Sequence, residues 1–331
     1  VSTQQDDASS AYAGETRRSR PTKAKTKFTA PDAPPWEGLT QAVAHSSNQR
    51  VSFDTSRLVA VGARPPLLEY LVSLWGSRHF VLYDARVRLA VSQDHTLLGK
   101  MWLVLNPILF GLTFYLIFGL LLQTSRGIEN FTGYVVIGFM MFFYTTRSFV
   151  TGARSIATGQ SLIRGFSFPR AALPLAITVR QALSQVYVLI AMVLLVLAIP
   201  PSEPVGLHWL LIIPIFILQS VFNWGLGMLF APLVHKIPDV GNILSVVTRL
   251  WMYGSGLFYD PSRFTNNPTI LALFHLNPLY QILQMTRDIL LYDVVPSLGQ
   301  WALLVVWGGG VWLIGLIVFW TNEESYANER R

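Results

Sequence analysis

From residue 101 onward the chain reads as long apolar runs separated by short polar joints, the pattern of helices that cross a bilayer. About 20 apolar residues suffice for one crossing. The runs predict six spans, at about 101–125, 130–152, 171–199, 207–233, 239–259 and 298–320. Arg147 interrupts the second and Arg249 the fifth, which is the weakest by hydropathy. The uncharged stretch 264–286 is not counted as a span. Asn266, Asn267 and Pro268, then Asn277 and Pro278, would leave unpaired backbone in lipid there. Two short interfacial or re-entrant helices explain it better, whereas a seventh span would put the C-terminus outside.

Upstream, residues 67–95 form an amphipathic pattern. Leu68, Val72, Trp75, Leu82 and Leu89 make one apolar stripe, and Glu69, Ser73, Ser77, Asp84 and Arg88 share the opposite face. Asp84 and Arg88 stand four apart with the acid first, the favoured order for a helical ion pair. Arg86 projects from the apolar side. Such a helix lies in the membrane interface. Residues 1–66 are rich in Ser, Thr, Ala and Pro and are expected to be disordered. Their basic run (Arg17, Arg18, Arg20, Lys23, Lys25, Lys27) suits either anionic headgroups or a plain solvated tail. The expected organisation is a disordered basic cytoplasmic tail over 1–66, an amphipathic interfacial helix over 67–97, a six-span domain over 98–322 and a cytoplasmic tail over 323–331. The expected fold class is an all-α polytopic membrane protein with a re-entrant hairpin before the last span.

Composition strengthens this picture. Hydrophobic residues make up 52% of the 331 and charged ones 13%, about half the usual charged share of a soluble domain. Residues 101–320 hold only 10 Lys/Arg and 6 Asp/Glu, too few to cover the surface of a soluble fold. The net charge of +7 is then the excess expected of cytoplasmic loops rather than a sign of nucleic-acid binding. With both termini inside, the inner side collects Arg86, Arg88, Lys100, Arg154, Arg164, Arg170, Lys236, Arg330 and Arg331, and the outer side Arg126, Arg263 and Arg287. That asymmetry supports a cytoplasmic N-terminus. The absence of cysteine excludes disulfides and thiolate chemistry, and the six histidines lie at no metal-ligand spacing.

The spans carry little that could do chemistry. Glu129, Glu203, Asp239, Asp260, Asp288 and Asp293 form no close pair. None is expected at mid-membrane, where an ion-coupled transporter holds its acids. The intramembrane charges are all positive: Arg147, Arg180 and Arg249. They either meet an anionic substrate group or snorkel to the interface, and Arg249 is the hardest to place at an interface. Aromatics crowd spans one, two and five. They could stack on sugar rings, although such residues more commonly face lipid. Gly308, Gly309, Gly310 and Gly315 would allow close helix packing in span six. Gly99-Lys100 is followed by Met with no glycine loop before it, so it makes no phosphate-binding loop, and any ATP must be bound by another chain.

Five segments carry a family resemblance. Tyr83-Asp84-Ala85-Arg86-Val87-Arg88, then Leu98-Gly99, Trp102 and Asn106-Pro107, resemble the start of the first span in ABC-type polysaccharide exporter permeases, the Wzm-like subunits for O-antigen, teichoic acid and galactan export. Tyr83 and Leu89 depart from the family pattern, which has Arg and Tyr there. Leu162–Arg170 with Leu173-Pro174 looks like the loop between spans two and three, and Gly254–Tyr259 like the end of span five. Asn277-Pro278-Leu279 with Arg287 is similar to the segment before the last span, and Glu324-Ser325-Tyr326-Ala327 to the tail.

The resemblance implies a homodimer working with two copies of a separate nucleotide-binding ATPase, which would hold ATP and Mg, with no cofactor, metal or catalysis on this chain. It implies a gate helix at 67–95, with Tyr83, Arg86 and Arg88 at the point where a lipid pyrophosphate arrives. Ser161, Leu162, Ile163, Arg164 and Phe166 would form the coupling helix that takes the ATPase stroke. Spans one, two and five would line a channel with Phe114, Phe118, Phe142, Phe143 and Tyr144, then Arg249, Trp251, Tyr253 and Tyr259, and the 264–290 hairpins would form an outer gate. The implied function is export of lipid-linked polysaccharide across the bacterial inner membrane; the N-terminal extension is compatible with an undecaprenyl-linked galactan. An ABC-type exporter of small lipids or drugs would share the helices. A membrane glycosyl- or acyltransferase would need acids or a histidine that the spans lack.

Overall fold

The structure is a computed structural model and describes residues 65–91, 99–121, 128, 130–166, 168–198, 205–263 and 265–326. The tail up to Arg64 and the residues from Ala327 onward lie outside this set, as does Arg126. Among the described residues every regular element is helical. In chain order they are α1 (Leu67–Gly76), α2 (Arg78–Val91), α3 (Trp102–Phe114), α4 (Phe131–Ala153), α5 (Ser155–Thr158), α6 (Gln160–Gly165), α7 (Ala172–Ala198), α8 (Ile212–Lys236), α9 (Asp239–Tyr253), α10 (Pro268–Leu276), α11 (Pro278–Leu291) and α12 (Leu298–Thr321).

Among the described residues four helical stretches are long and apolar enough to cross a membrane: α4, α7, α12, and α8 with its 3-10 lead-in from Leu207. They coincide with the second, third, sixth and fourth predicted spans. The first predicted span is helical too, but 13 residues of α-helix give way to 7 of π-helix over Tyr115–Leu121. The fifth falls short. At 15 residues α9 reaches about 22 Å, less than the roughly 30 Å hydrocarbon core. Gly254 ends it and Gly256, at φ +59°, turns the chain back.

The predicted interfacial helix is two helices. Gly76 is a poor helix former, and Ser77 Oγ bonds back to Ser73 O, so the chain breaks between α1 and α2. Leu68, Val72 and Trp75 stay exposed, while Tyr70, Leu74, Val81 and Ala85 pack inward. The apolar run 264–286 divides where Asn and Pro predicted. Asn267 and Asn277 each accept a backbone N–H at a helix start, with Pro268 and Pro278 at the first helical position. The two caps thus separate α10 from α11 with one residue between them, and nearly all of α11 is buried.

Helix α4 is the hub, buried on most of its surface against α3, α7, α8 and α11. Close approach depends on glycine. Gly152 of α4 faces Gly227 of α8, where an added Cβ would stand 3.1 Å from Gly227 Cα. Gly225 of α8 meets the backbone at Trp312, and Gly315 meets Gly225 O, which brings α8 and α12 together. Of the four glycines expected to serve this in span six, Gly308 and Gly315 do, while Gly309 and Gly310 face open space.

Candidate functional site

Helix α2 sits between two cavities of opposite character. On one side Arg88 joins Arg154 and Arg180 around a cavity of about 280 Å³, with Asp84, Thr151 and Thr158 among its other lining residues. Asp84 is the one carboxylate there and already binds Arg88, at 2.7 Å from Oδ1 to Nε, the i,i+4 pair the spacing predicted. Arg154 donates to Asn242 Oδ1 at 3.0 Å, a neutral partner. Three guanidiniums against one carboxylate leave a surplus positive charge aimed into a partly enclosed space, the electrostatics of an anion site.

On the other side of α2, Arg86 stands at a cavity of about 520 Å³ walled by Leu89, Ala90, Leu103, Leu183, Val186 and Tyr187. The charge pattern of α2 explains the split. Residues 86 and 88 lie about 200° apart on a helix, so the two arginines cannot face one space. One helix therefore offers a cation at an apolar groove and another at a polar pocket. Tyr83 lines neither cavity and is 71% exposed.

The segment Ser161–Phe166 is short helix α6 and its cap, with no buried residue, and Phe166 is 69% exposed. Leu162 nevertheless lines the arginine cavity. Leu162 thus places α6 in the wall of that cavity. Just beyond, Glu323 ties three elements. Tyr70 of α1 donates to its Oε2 at 2.9 Å, Arg170 N donates to its Oε1 at 3.1 Å, and the Arg170 guanidinium donates to its backbone O. Ala171 N donates to the Tyr70 hydroxyl at 3.0 Å. Burial pushes the Glu323 carboxyl above its ordinary range, against the opposing hydrogen bonds and the Arg170 charge. Burial and the neighbouring Glu323 charge push the Tyr70 hydroxyl up as well.

A helical hub, a helix α2 between two cavities and an exposed short helix between α4 and α7 invite comparison with known transporters. The sequence profile of the ABC-2 type transporter family matches residues 85–291, from the middle of α2 to the end of α11. The chain belongs to the ABC-2 type transporter family. Among its relatives, an O-antigen export system permease protein RfbA from Klebsiella pneumoniae is 25% identical over 242 residues, covering 72% of this chain and 89% of the relative. A protein of the same name from Myxococcus xanthus is 24% identical over 233 residues, covering 70% and 85%. The resemblance to Wzm-like permeases stands, and the ABC-2 chain is a multi-pass membrane protein.

The residues expected to line a channel in this ABC-2 chain fall into two groups. Phe142 and Tyr144 are buried, Phe142 in the main core and Tyr144 against α8, where its hydroxyl shares a 2.6 Å hydrogen bond with Ser220. Within this single chain Phe142 faces the core, while Tyr144 also borders a cavity between α3, α4 and α7. Phe114 and Phe143 are half-buried in a ring cluster around Phe139, with centroids at 4.6 and 5.4 Å. Arg249 and Tyr253 are exposed on α9, whereas Trp251 donates to Asn277 Oδ1 at 3.1 Å and Tyr259 donates to Tyr253 O at 2.8 Å. Arg249 lies one turn from the end of α9 rather than deep within a span. The Phe118 side chain lies outside what is described.

Arg287, counted above as an outer-loop cation, is instead fully buried in α11. Its Nε, Nη1 and Nη2 donate to the carbonyls of Tyr134, Gly256 and Leu257, each at 3.2 Å. The guanidinium lies 3.4 Å over the Tyr134 ring. Gly138 leaves the space, since a Cβ there would come 2.5 Å from Nη2. The signal was in the sequence: Leu279, Ile282, Leu283, Thr286 and Leu290 set an apolar helical face, and Arg287 falls on it.

Proposed function

We propose that this ABC-2 chain is the transmembrane subunit of an ATP-driven exporter that moves a lipid-linked polysaccharide out of the cytoplasmic leaflet of the bacterial inner membrane. It would act as a homodimer with two copies of a separate ATPase. In this reading both termini are cytoplasmic and α2 lies at the inner interface. The six crossings are α3 with its π-helical extension, α4, α7, α8, α9 with its turn, and α12, while α10 and α11 re-enter from outside. The names of the relatives support polysaccharide as the cargo class.

The observation that carries the reading is the arginine cavity under α2 with Leu162 of α6 in its wall. The pyrophosphate of a carrier lipid would lie against Arg88, Arg154 and Arg180, while the apolar groove beside Arg86 on the other side of α2 would face acyl chains. Surplus charge makes the pocket selective for an anionic headgroup, and apolar walls suit a chain that stays in lipid. The ATPase would press on the exposed α6, and Leu162 would pass that motion to the pocket. Exposed aromatic and polar residues on α3 and α9 would then guide the glycan.

Depletion of the chain in its native cell should cause lipid-linked glycan to accumulate on the cytoplasmic leaflet; normal surface glycan after depletion would refute the function. Arg164→Glu at the coupling helix should leave ATP hydrolysis by the complex in place while lowering export about tenfold or more. Equal loss of both, or of neither, would remove α6 from the mechanism.

A further inference from the structure

One helical turn deeper than the arginine cavity lies a second space, of about 410 Å³, between α3, α4 and α7. Its lining carries Asn106, Arg147, Gln181, Ser184 and Gln185 together with the rings of Phe110 and Phe143. Two of these groups are engaged: Gln185 Nε2 donates to Met140 O at 3.3 Å, and the Arg147 guanidinium lies 5.7 Å from the Phe143 ring centroid. Asn106 is exposed at the cavity rim, and Gln181 and Ser184 are half-buried in its wall.

That is an unusual set for the hydrocarbon zone. Closing such a cavity without a polar occupant costs about 1–3 kcal/mol for each amide or hydroxyl left unpaired, so its wall favours a polar ligand. The volume lies in the range of small-molecule sites. The amides offer donors and acceptors side by side, and Arg147 adds donors only. No carboxylate lines the space, which argues against a cationic ligand. The rings of Phe110, Phe143 and Tyr144 supply flat walls. Mixed donors and acceptors beside an aromatic face suit a ring that carries hydroxyls around its edge and C–H groups on its face.

The placement adds to this. Arg147 lines the upper space and Thr151 the lower, four residues apart on α4, about 6 Å along the axis. On α7, Arg180 lines the lower space and Gln181, the next residue, the upper. A group seated in one cavity is therefore about 6 Å, or a few covalent bonds, from a group seated in the other. Resting on the function proposed above, we infer that the upper cavity binds the glycosyl residue attached directly to the lipid phosphate. Asn106, Gln181 and Ser184 read its hydroxyls, and the phosphate lies one turn below.

The test compares ligands that differ only in the sugar. The full-length chain co-purified with its ATPase is titrated with farnesyl pyrophosphate and with two glycosylated forms, farnesyl-pyrophosphoryl hexose and the corresponding N-acetylhexosamine. At least one glycosylated form should bind about tenfold tighter than the bare pyrophosphate. Gln181→Leu with Ser184→Ala should abolish that advantage and keep bare-pyrophosphate affinity within about twofold. Because the bare ligand reports on folding of the variant, a lost advantage with retained binding is not a misfolding effect. Equal affinity for all three ligands in the wild-type complex, or an equal fall for all three in the variant, overturns this inference alone. Binding of none of the three contradicts the exporter reading as well.

Discussion

Two ends of α4 treat arginine in opposite ways. At the Phe131 end, a fully buried Arg287 gives its donors to three carbonyls and its face to an aromatic ring. At the Ala153 end, Arg88, Arg154 and Arg180 share one carboxylate and one amide oxygen around an open cavity. A guanidinium whose donors are matched by the fold holds helices together, while guanidiniums left in surplus hold charge ready for something else. Position in a hydrophobic sequence does not distinguish the two; the partners do.

The comparison breaks most sharply at Arg287. Replacement by Leu removes one donor from each of three carbonyls and the cation over the Tyr134 ring, and the chain should lose about 3 kcal/mol or more, seen as a large fall in melting temperature in detergent or as failure to accumulate in the membrane. A melting temperature unchanged from the wild type would mean that Arg287 is not the tie between α4, α11 and the turn after α9. A smaller loss is expected for Gly138→Ala, whose Cβ would press on the Arg287 guanidinium; about 1–3 kcal/mol fits an overpacked core. If Gly138→Ala combined with Arg287→Leu proves no worse than Arg287→Leu alone, the two act through the same contact.

The smallest effect concerns Glu323. Its folded-state carboxyl lies above the ordinary value, so its contribution favours the folded state below the unfolded value and is lost as pH rises through the folded one. Glu323→Gln removes that titration and keeps an acceptor for Tyr70. The variant should gain stability over the wild type at pH 8, with the gain shrinking toward pH 4. Thermal melts at the two values decide it, and a gain that is larger at pH 4 would contradict the burial argument.

Much of this was legible in the chain. Long apolar runs fixed four crossing helices because no polar residue competes within them, and paired Asn-Pro steps marked the starts of α10 and α11 by capping chemistry alone. The Asp84–Arg88 pair followed from spacing. Burial direction was not legible. Phe142 and Phe143 are neighbours of one type, yet only Phe142 turns fully into the core, because α8 lies on that side of α4. The break at Ser77 and the short α9 also escaped periodicity, since each depends on local backbone bonds at glycine-containing turns. Asn106, Gln181 and Ser184 stand on three different turns of two helices, and only tertiary packing shows that they share a cavity.

The central claim is that the surplus arginines receive an anionic lipid headgroup and report it to the ATPase through α6. Its most direct measurement is ATP hydrolysis by the full complex in lipid nanodiscs with and without farnesyl pyrophosphate. Hydrolysis by the wild-type complex should respond to the lipid. The Arg88→Gln, Arg180→Gln variant should show the same basal rate and melting temperature but need about tenfold more lipid for the same response. An unchanged lipid dependence in that variant would contradict the account.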